Sequence, residues 1–533
     1  MATPSNPPGP PTVEFYYDVV CPFAYIASLR ISSVAAHTGT TILWRPVLLG
    51  GIYRATQAQQ GAHGSASDVA NPAKRAYGSR SFNRACRRLG VPISWPDKDN
   101  HPVRSVQALR LLYALPDGEA RAAVSHALYN VYWVQGRGKE VLGSREALLQ
   151  VAREALLGLT KRGKSNNTAI TPEQIDELLV PSLFDSPAAK AALEDNTAAA
   201  VAHGAPGVPG FWVPDAQWTG PGGPDDRRRG RFFWGQDRMH FLHATLLQLS
   251  AAYSPPNKPL PSLQSLLPRC RPIKPLTEPV RLEFWYDFSS PWAYLGWSGL
   301  ARLQRQFGNN LEVVLRPLLL GVVFREIGSP MLPSTAASKQ KREWGSLDMV
   351  DWVRFWRAVD EQDGLQGSDV KPEPVRWPDV FPIRSPNLLR CAIADEAVIP
   401  TLYRACWVQN KNMSDDAVLV QVLDEAGFDG KALLAKAKTA DVKQQLVDNT
   451  KEAIDAGFCG VPTYRVFRRD TGSSSSGGRA GERNHGWKQF GGFVWGQDET
   501  ALVQDLISGW DEEGPAGEVA KIEAIDVTEK ARM

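Results

Sequence analysis

Val13-Glu-Phe-Tyr-Tyr-Asp18-Val-Val-Cys21-Pro22-Phe-Ala-Tyr25 returns later in the chain as Leu282-Glu-Phe-Trp-Tyr-Asp287-Phe-Ser-Ser290-Pro291-Trp-Ala-Tyr294, with Asp18 and Asp287 lying 269 positions apart. Each stretch is a run of β-branched and aromatic residues that stops at Pro, which reads as a strand. The residues beyond the Pro (Tyr25 to Leu29; Tyr294 to Leu303) read as a helix. Three further blocks recur in the same order. Trp44-Arg-Pro-Val-Leu-Leu-Gly50 answers Leu315-Arg-Pro-Leu-Leu-Leu-Gly321 at an offset of 271. Gly207-Val-Pro-Gly-Phe-Trp212 answers Gly460-Val-Pro-Thr-Tyr-Arg465 at 253, and Phe233-Trp-Gly-Gln-Asp237 answers Val494-Trp-Gly-Gln-Asp498 at 261. Four ordered blocks with drifting offsets describe a duplication followed by loop changes.

A chain of 533 residues is too long for one ordinary core, so the repeat divides it in two. The first domain is expected over 12–253 and the second over 280–510. The Pro-rich stretch 254–279 between them reads as an extended linker, and 511–533 as a loose tail. Within each copy the order reads β-α-β, a helical insertion, then β-β-α. Thr171-Pro-Glu-Gln174 is a capping box, Ser414-Asp-Asp caps a further helix, and Gly204 and Gly457 end two more. The segments Pro214 to Gly230 and Asp470 to Gly486 read as long polar loops of the final hairpins.

A net charge of +3 gives no reason to expect nucleic acid or an anionic membrane as partner. No stretch is long and apolar enough to span a bilayer, and Met1 to Pro11 lacks the pattern of a secretory signal. The six cysteines form no C-x-x-C pair, which argues for a reducing compartment without a disulfide framework, zinc or another metal. The cytoplasm is the expected location. Ala531-Arg532-Met533 fits a loose version of a peroxisomal address and keeps that compartment as an alternative.

Three features carry chemistry. In Asp-x-x-(Cys/Ser)-Pro, a small polar residue sits where a strand ends and a helix begins. The N–H groups and dipole of that helix stabilise a thiolate, whether the protein's own or a ligand's. Cys21 could be that thiolate in the first copy, and Ser290 could donate to a ligand's thiolate in the second; either could also simply cap its helix. The Gly-Val-Pro blocks place Val208-Pro209 and Val461-Pro462 before a strand. A cis bond there would turn the Val main chain outward to pair with an extended peptide. Gln236-Asp237 and Gln497-Asp498 open the last helix, where free N–H groups suit a carboxylate and the Asp suits an ammonium. An Asp in a first turn also complements the helix dipole without binding anything.

Together these blocks resemble the kappa-class glutathione transferase and 2-hydroxychromene-2-carboxylate isomerase family, within the DsbA-like thioredoxin group. Leu402-Tyr-Arg-Ala-Cys-Trp-Val408 adds to the likeness. The resemblance implies an α/β fold of two thioredoxin-like domains, each with a helical insertion between its second and third strands. It implies glutathione as the bound thiol, held by Ser290, Val461, Gln497 and Asp498 in the second copy and by Val208, Gln236 and Asp237 in the first. Arg54 and Lys74 in the first copy and Arg325 in the second would border the site of the electrophile. Cys21 departs from the family's Ser and lacks a resolving partner, so it could form a mixed disulfide but no intradomain C-x-x-C bridge.

The function expected is a glutathione-dependent transferase or isomerase acting on a small aromatic or conjugated electrophile. A thiol-disulfide oxidoreductase working through Cys21 and a non-catalytic binding protein are the alternatives. The two copies would satisfy each other as an internal pseudo-dimer, giving a monomer or a loose homodimer.

Overall fold

Each of the two aromatic strands is an inner strand of its own sheet. β1 (Thr12–Tyr17) lies between β2 (Thr41–Pro46), parallel to it, and β3 (Gly210–Thr219), antiparallel, with β4 (Arg227–Trp234) beyond. β5 (Val280–Tyr286), β6 (Leu311–Pro317), β7 (Thr463–Arg469) and β8 (Trp487–Trp495) repeat the order. Phe15 stands opposite Trp44 and Phe211, and Phe284 opposite Leu315 and Tyr464. Helices cover both faces of such a sheet, so β1 buries Phe15, Tyr16 and Tyr17 in succession instead of alternating. The computed structural model describes residues 9–60, 70–96, 101–162, 171–219, 225–253, 259–364, 372–469, 486–514, 519–523 and 525.

Each sheet carries a helix after its first strand: Pro22–Thr38 in one copy, and Pro291–Ser298 followed by Leu300–Phe307 in the other. A last helix follows the hairpin, Met239–Tyr253 or Thr500–Ile507. The helical insertion runs from Pro72–Arg88 to Pro187–Ala202 in the first copy and from Lys339–Gln362 to Ala440–Asp455 in the second. The chain is therefore α/β, with two thioredoxin-like domains each interrupted between its second and third strands. The capping box at Thr171 forms as read. Asp415, not Ser414, caps Asp416–Glu425, because its carboxylate accepts from Ala417 N at 2.8 Å.

Two expectations change. The first hairpin takes up Pro214 to Thr219 and Arg227 to Gly230, which the sequence assigned to a loop; a register shift between Val213 and Gln217 accommodates Pro214. In the second copy only Gly486 of the expected loop lies within the described residues. The linker is not an unpacked spacer: Leu266 and Leu267 are buried, and Arg269 pairs with Lys521 of the tail through N–H···O bonds of 2.8 and 3.0 Å. Burying those leucines outweighs the extended habit of the surrounding prolines. Ala531-Arg532-Met533 falls outside the described residues.

The copies dock reciprocally within one chain. Helix Pro72–Arg88 lies on the hairpin and last helix of the second copy, and Lys339–Gln362 on those of the first. Tyr77 accepts from Trp495 N at 2.9 Å and donates to Trp495 O at 3.2 Å. In the equivalent seat Trp344 meets Trp234 edge-on, with ring centroids 4.8 Å apart. Buried apolar side chains continue through both halves as one cluster. Among the described residues no helix is long and apolar enough to cross a membrane.

Candidate functional site

The Asp that ends each aromatic strand is a structural tie, a role the sequence reading did not assign. Asp287 is buried and accepts from Ser289 N at 2.9 Å and from Leu320 N at 2.8 Å. Asp18 accepts from Val20 N at 3.3 Å, Leu49 N at 3.0 Å and the Ser105 hydroxyl at 3.1 Å. One carboxylate thus fixes the turn before the first helix to the start of the next. Burial outweighs these bonds and pushes Asp18 up to about 6 and Asp287 upward as well. Recurrence of a charged residue at the end of an otherwise apolar strand was the available signal.

Ser290 caps helix Pro291–Ser298: its Oγ accepts from Ala293 N at 3.2 Å and donates to Val461 O at 3.4 Å. The Val461-Pro462 bond is cis, as is Val208-Pro209 in the first copy, where Cys21 Sγ lies 3.4 Å from Val208 O. The first and second sequence features therefore meet in both copies. Cys21 makes no side-chain cap bond, and burial pushes its thiol up to about 12. At Cys21 desolvation works against the field of the helix N-terminus and favours the thiol over the thiolate that this residue could have formed.

Both Trp-Gly-Gln-Asp turns use a Gly with positive φ, 100° at Gly235 and 108° at Gly496, over which the following Asp side chain folds back. The glutamines point inward. Gln497 is buried and accepts from the Trp356 indole at 3.1 Å, while its Nε2 is a buried donor without a partner among the described residues. Gln236 accepts from Arg30 through both its side chain and its main chain, at 2.8 and 2.7 Å.

A cavity of about 990 Å³ opens beside Ser290, with Val461, Gln497 and Asp498 in its wall. Its apolar lining comes from Trp292, Leu320, Phe324, Met331, Trp377 and Phe381, and its cations are Lys74, Arg238, Arg325 and Arg384. Two of those cations belong to the first copy. Lys74 was expected to border its own copy's site; instead its helix crosses, leaving the ammonium 5.7 Å from the Phe324 ring, where burial lowers its pKa. Arg238 was not singled out at all. Its Nη2 lies 3.0 Å from Asp498, its Nη1 2.7 Å from Asp237, and it forks onto Asp348 at 2.8 and 3.0 Å. The signal was there: the residue after Gln-Asp is Arg in one copy and Glu499 in the other, a sign reversal within a repeated block. Arg325 lines the cavity, exposed and paired with Glu326 at 3.3 Å; Arg54, its counterpart in the first copy, is exposed as well.

The DSBA-like thioredoxin domain model matches residues 12–247, 281–361 and 383–508. Rat glutathione S-transferase kappa 1 is 25% identical over 191 residues, covering 35% of this chain and 80% of that protein. The 2-hydroxychromene-2-carboxylate isomerase of Sphingobium xenophagum is 22% identical over 236 residues, covering 44% of this chain and 98% of that protein. Among solved structures, a 2-hydroxychromene-2-carboxylate isomerase aligns with a TM-score of 0.31 at 22% identity, over 45% of this chain and 96% of its own. Each relative is matched over most of its length by less than half of this chain, as expected when two copies share one polypeptide.

Proposed function

The chain belongs to the DSBA-like thioredoxin domain family, and on that premise we propose that it is a glutathione-dependent transferase or isomerase working at the cavity of its second copy. The observation that carries this reading is the convergence of Ser290 Oγ, the Val461 main chain and Asp498 on the wall of one cavity of about 990 Å³ with a mostly apolar lining. Relatives named as a kappa-class transferase and as an isomerase support the same chemistry.

The cavity's donors suit a thiol tripeptide. Its volume lies at the upper end of the range for small-molecule sites, enough for a tripeptide and a second reactant. Gln497 Nε2 is a buried donor with no acceptor among the described residues. When bound, glutathione supplies a thiolate able to add to an activated C=C or another electrophilic carbon.

Ser290 serves as the donor that holds the negative sulfur, aided by the free N–H groups at the start of helix Pro291–Ser298. Val461 offers main-chain pairing to an extended peptide. Asp498, held by Arg238 at 3.0 Å, presents a carboxylate to the ammonium end of an α-amino acid. Trp292, Phe324, Trp377 and Phe381 shelter an aromatic or conjugated electrophile from water, and Arg325 and Arg384 favour one that carries an anionic group. Whether the adduct is kept or expelled after bond rotation separates transfer from isomerisation.

The test is turnover of an activated aryl halide and of a conjugated aromatic enone by the purified chain, with and without glutathione. Turnover that requires glutathione and falls in Ser290→Ala is expected. Absence of glutathione-dependent turnover of both probes, together with no heat on titrating glutathione, would overturn the reading.

A further inference from the structure

The two reciprocal seats between the copies occupy equivalent positions yet carry opposite charge. Tyr77 and Trp344 pack on Trp495 and Trp234, the same residue of the repeated Trp-Gly-Gln-Asp block. That pairing fixes which residues correspond along the two docking helices. Counting on from it, Arg84 answers Asp351, and Ser81 answers Asp348. On the receiving surfaces Gly492 answers Arg231, and Glu499 answers Arg238.

In the seat formed by the second helix on the first copy, acid meets base. Asp351 pairs with Arg231, and Asp348 is gripped by Arg238 at 2.8 and 3.0 Å. In the other seat the polarity is reversed. Arg84 lies 2.5 Å from Glu512, and Arg88 takes Asp505 at 2.6 and 3.0 Å. All four arginines are buried. Space follows charge: a Cβ added at Gly492 would stand 2.9 Å from Arg80 Nη1, 3.0 Å from Arg84 Nη2 and 3.2 Å from Glu512 Oε1, so a side chain like that of Arg231 would have to displace this charged cluster.

Each half is therefore mismatched with itself. A first copy docked on another first copy would bring Arg84 onto Arg231, burying two guanidiniums together. A second copy docked on another second copy would bring Asp348 onto Glu499, with no arginine between them. A two-fold interface would repeat each clash twice. Buried like charges are among the costliest contacts an interface can hold, and discrimination between partners is built from such contacts as much as from attraction.

We propose that the two seats form a charge code under which each half accepts the other half and rejects a copy of itself. The code holds whatever the cavity binds. It also keeps the cavity whole, since Lys74 and Arg238 line the second copy's site only in the cross-paired arrangement.

The experiment uses the full chain with a protease site inserted between Tyr253 and Pro259. After cleavage, the two fragments are loosened in mild denaturant, returned to buffer and weighed by native mass spectrometry. A 1:1 pair is expected, with homodimers of either fragment below about one part in a hundred. A statistical mixture of homodimers and heterodimer would overturn the proposal. Should the fragments aggregate, the intact chain decides: Asp351→Arg should lower Tm, and adding Arg231→Asp should recover at least half of the loss. A double reversal no more stable than the sum of its parts would refute the code independently of refolding.

Discussion

Replacing Ser290 by Ala removes two interactions with different consequences, which makes the substitution informative. The hydroxyl caps helix Pro291–Ser298 through Ala293 N at 3.2 Å. Losing such a cap costs about 0.5–2 kcal/mol, which lowers Tm by a few degrees at most. The same hydroxyl now donates to Val461 O at a long 3.4 Å and is free to turn to a sulfur in the cavity. A hydrogen bond to a charged acceptor is worth about 1.5–3 kcal/mol. At about 1.36 kcal/mol per pKa unit, its loss should raise the bound thiol's pKa by about 1–2 units. The assay is the pH dependence of kcat/KM for conjugation with glutathione. The acid limb should move to higher pH by that amount in Ser290→Ala, with a roughly 10–100-fold loss of rate well below the parent's pKa. A merely structural Ser290 would lower Tm and leave the limb in place. Superimposable pH profiles would refute the reasoning.

Other consequences follow from the same structure. Burial, with Asp498 and Asp237 nearby, pushes Glu499 up to about 7 from its ordinary 4.5. The folded state then keeps a proton that the unfolded chain releases, so stability falls as pH rises between those values; Glu499→Gln should be neutral near pH 4.5 and stabilise by up to about 3 kcal/mol at pH 8, as measured by urea melts at both pH values. Because burial holds Cys21 as a thiol, alkylation by iodoacetamide followed by mass spectrometry should be slow at pH 7 and still accelerating at pH 9; rapid labelling at pH 7 would contradict the geometry. Lys74→Ala should lower kcat/KM by about threefold to thirtyfold through the lost charge-assisted contact, while Lys341→Ala, whose side chain lies over Trp234 of the other copy, should change it less than twofold.

What the sequence made legible was local and contiguous. The aromatic strand, the Ser290 or Cys21 corner, Gly-Val-Pro and Trp-Gly-Gln-Asp each announce a backbone geometry within a few residues, and their duplication removes chance. What stayed hidden depends on how the copies dock. Lys74 looked like a residue of its own domain because nothing local says that its helix crosses to the other copy. Arg238 sat next to a recognised motif, but its meaning lies in a comparison of signs between the copies. Cys21 shows a competition the sequence cannot weigh: the helix N-terminus favours a thiolate, and the depth of burial decides against it. The linker misled because its prolines dominate the composition, whereas two leucines decide the packing.

Under the proposed function, the second copy's cavity takes glutathione and holds it ionised. The most direct measurement of this is the ultraviolet absorbance of the thiolate as glutathione is titrated into the full chain at a pH where the free thiol is protonated. A saturable thiolate band that disappears in Ser290→Ala and persists in Cys21→Ser is the result predicted. No band at saturating glutathione, or one that survives Ser290→Ala and follows Cys21, would contradict the account.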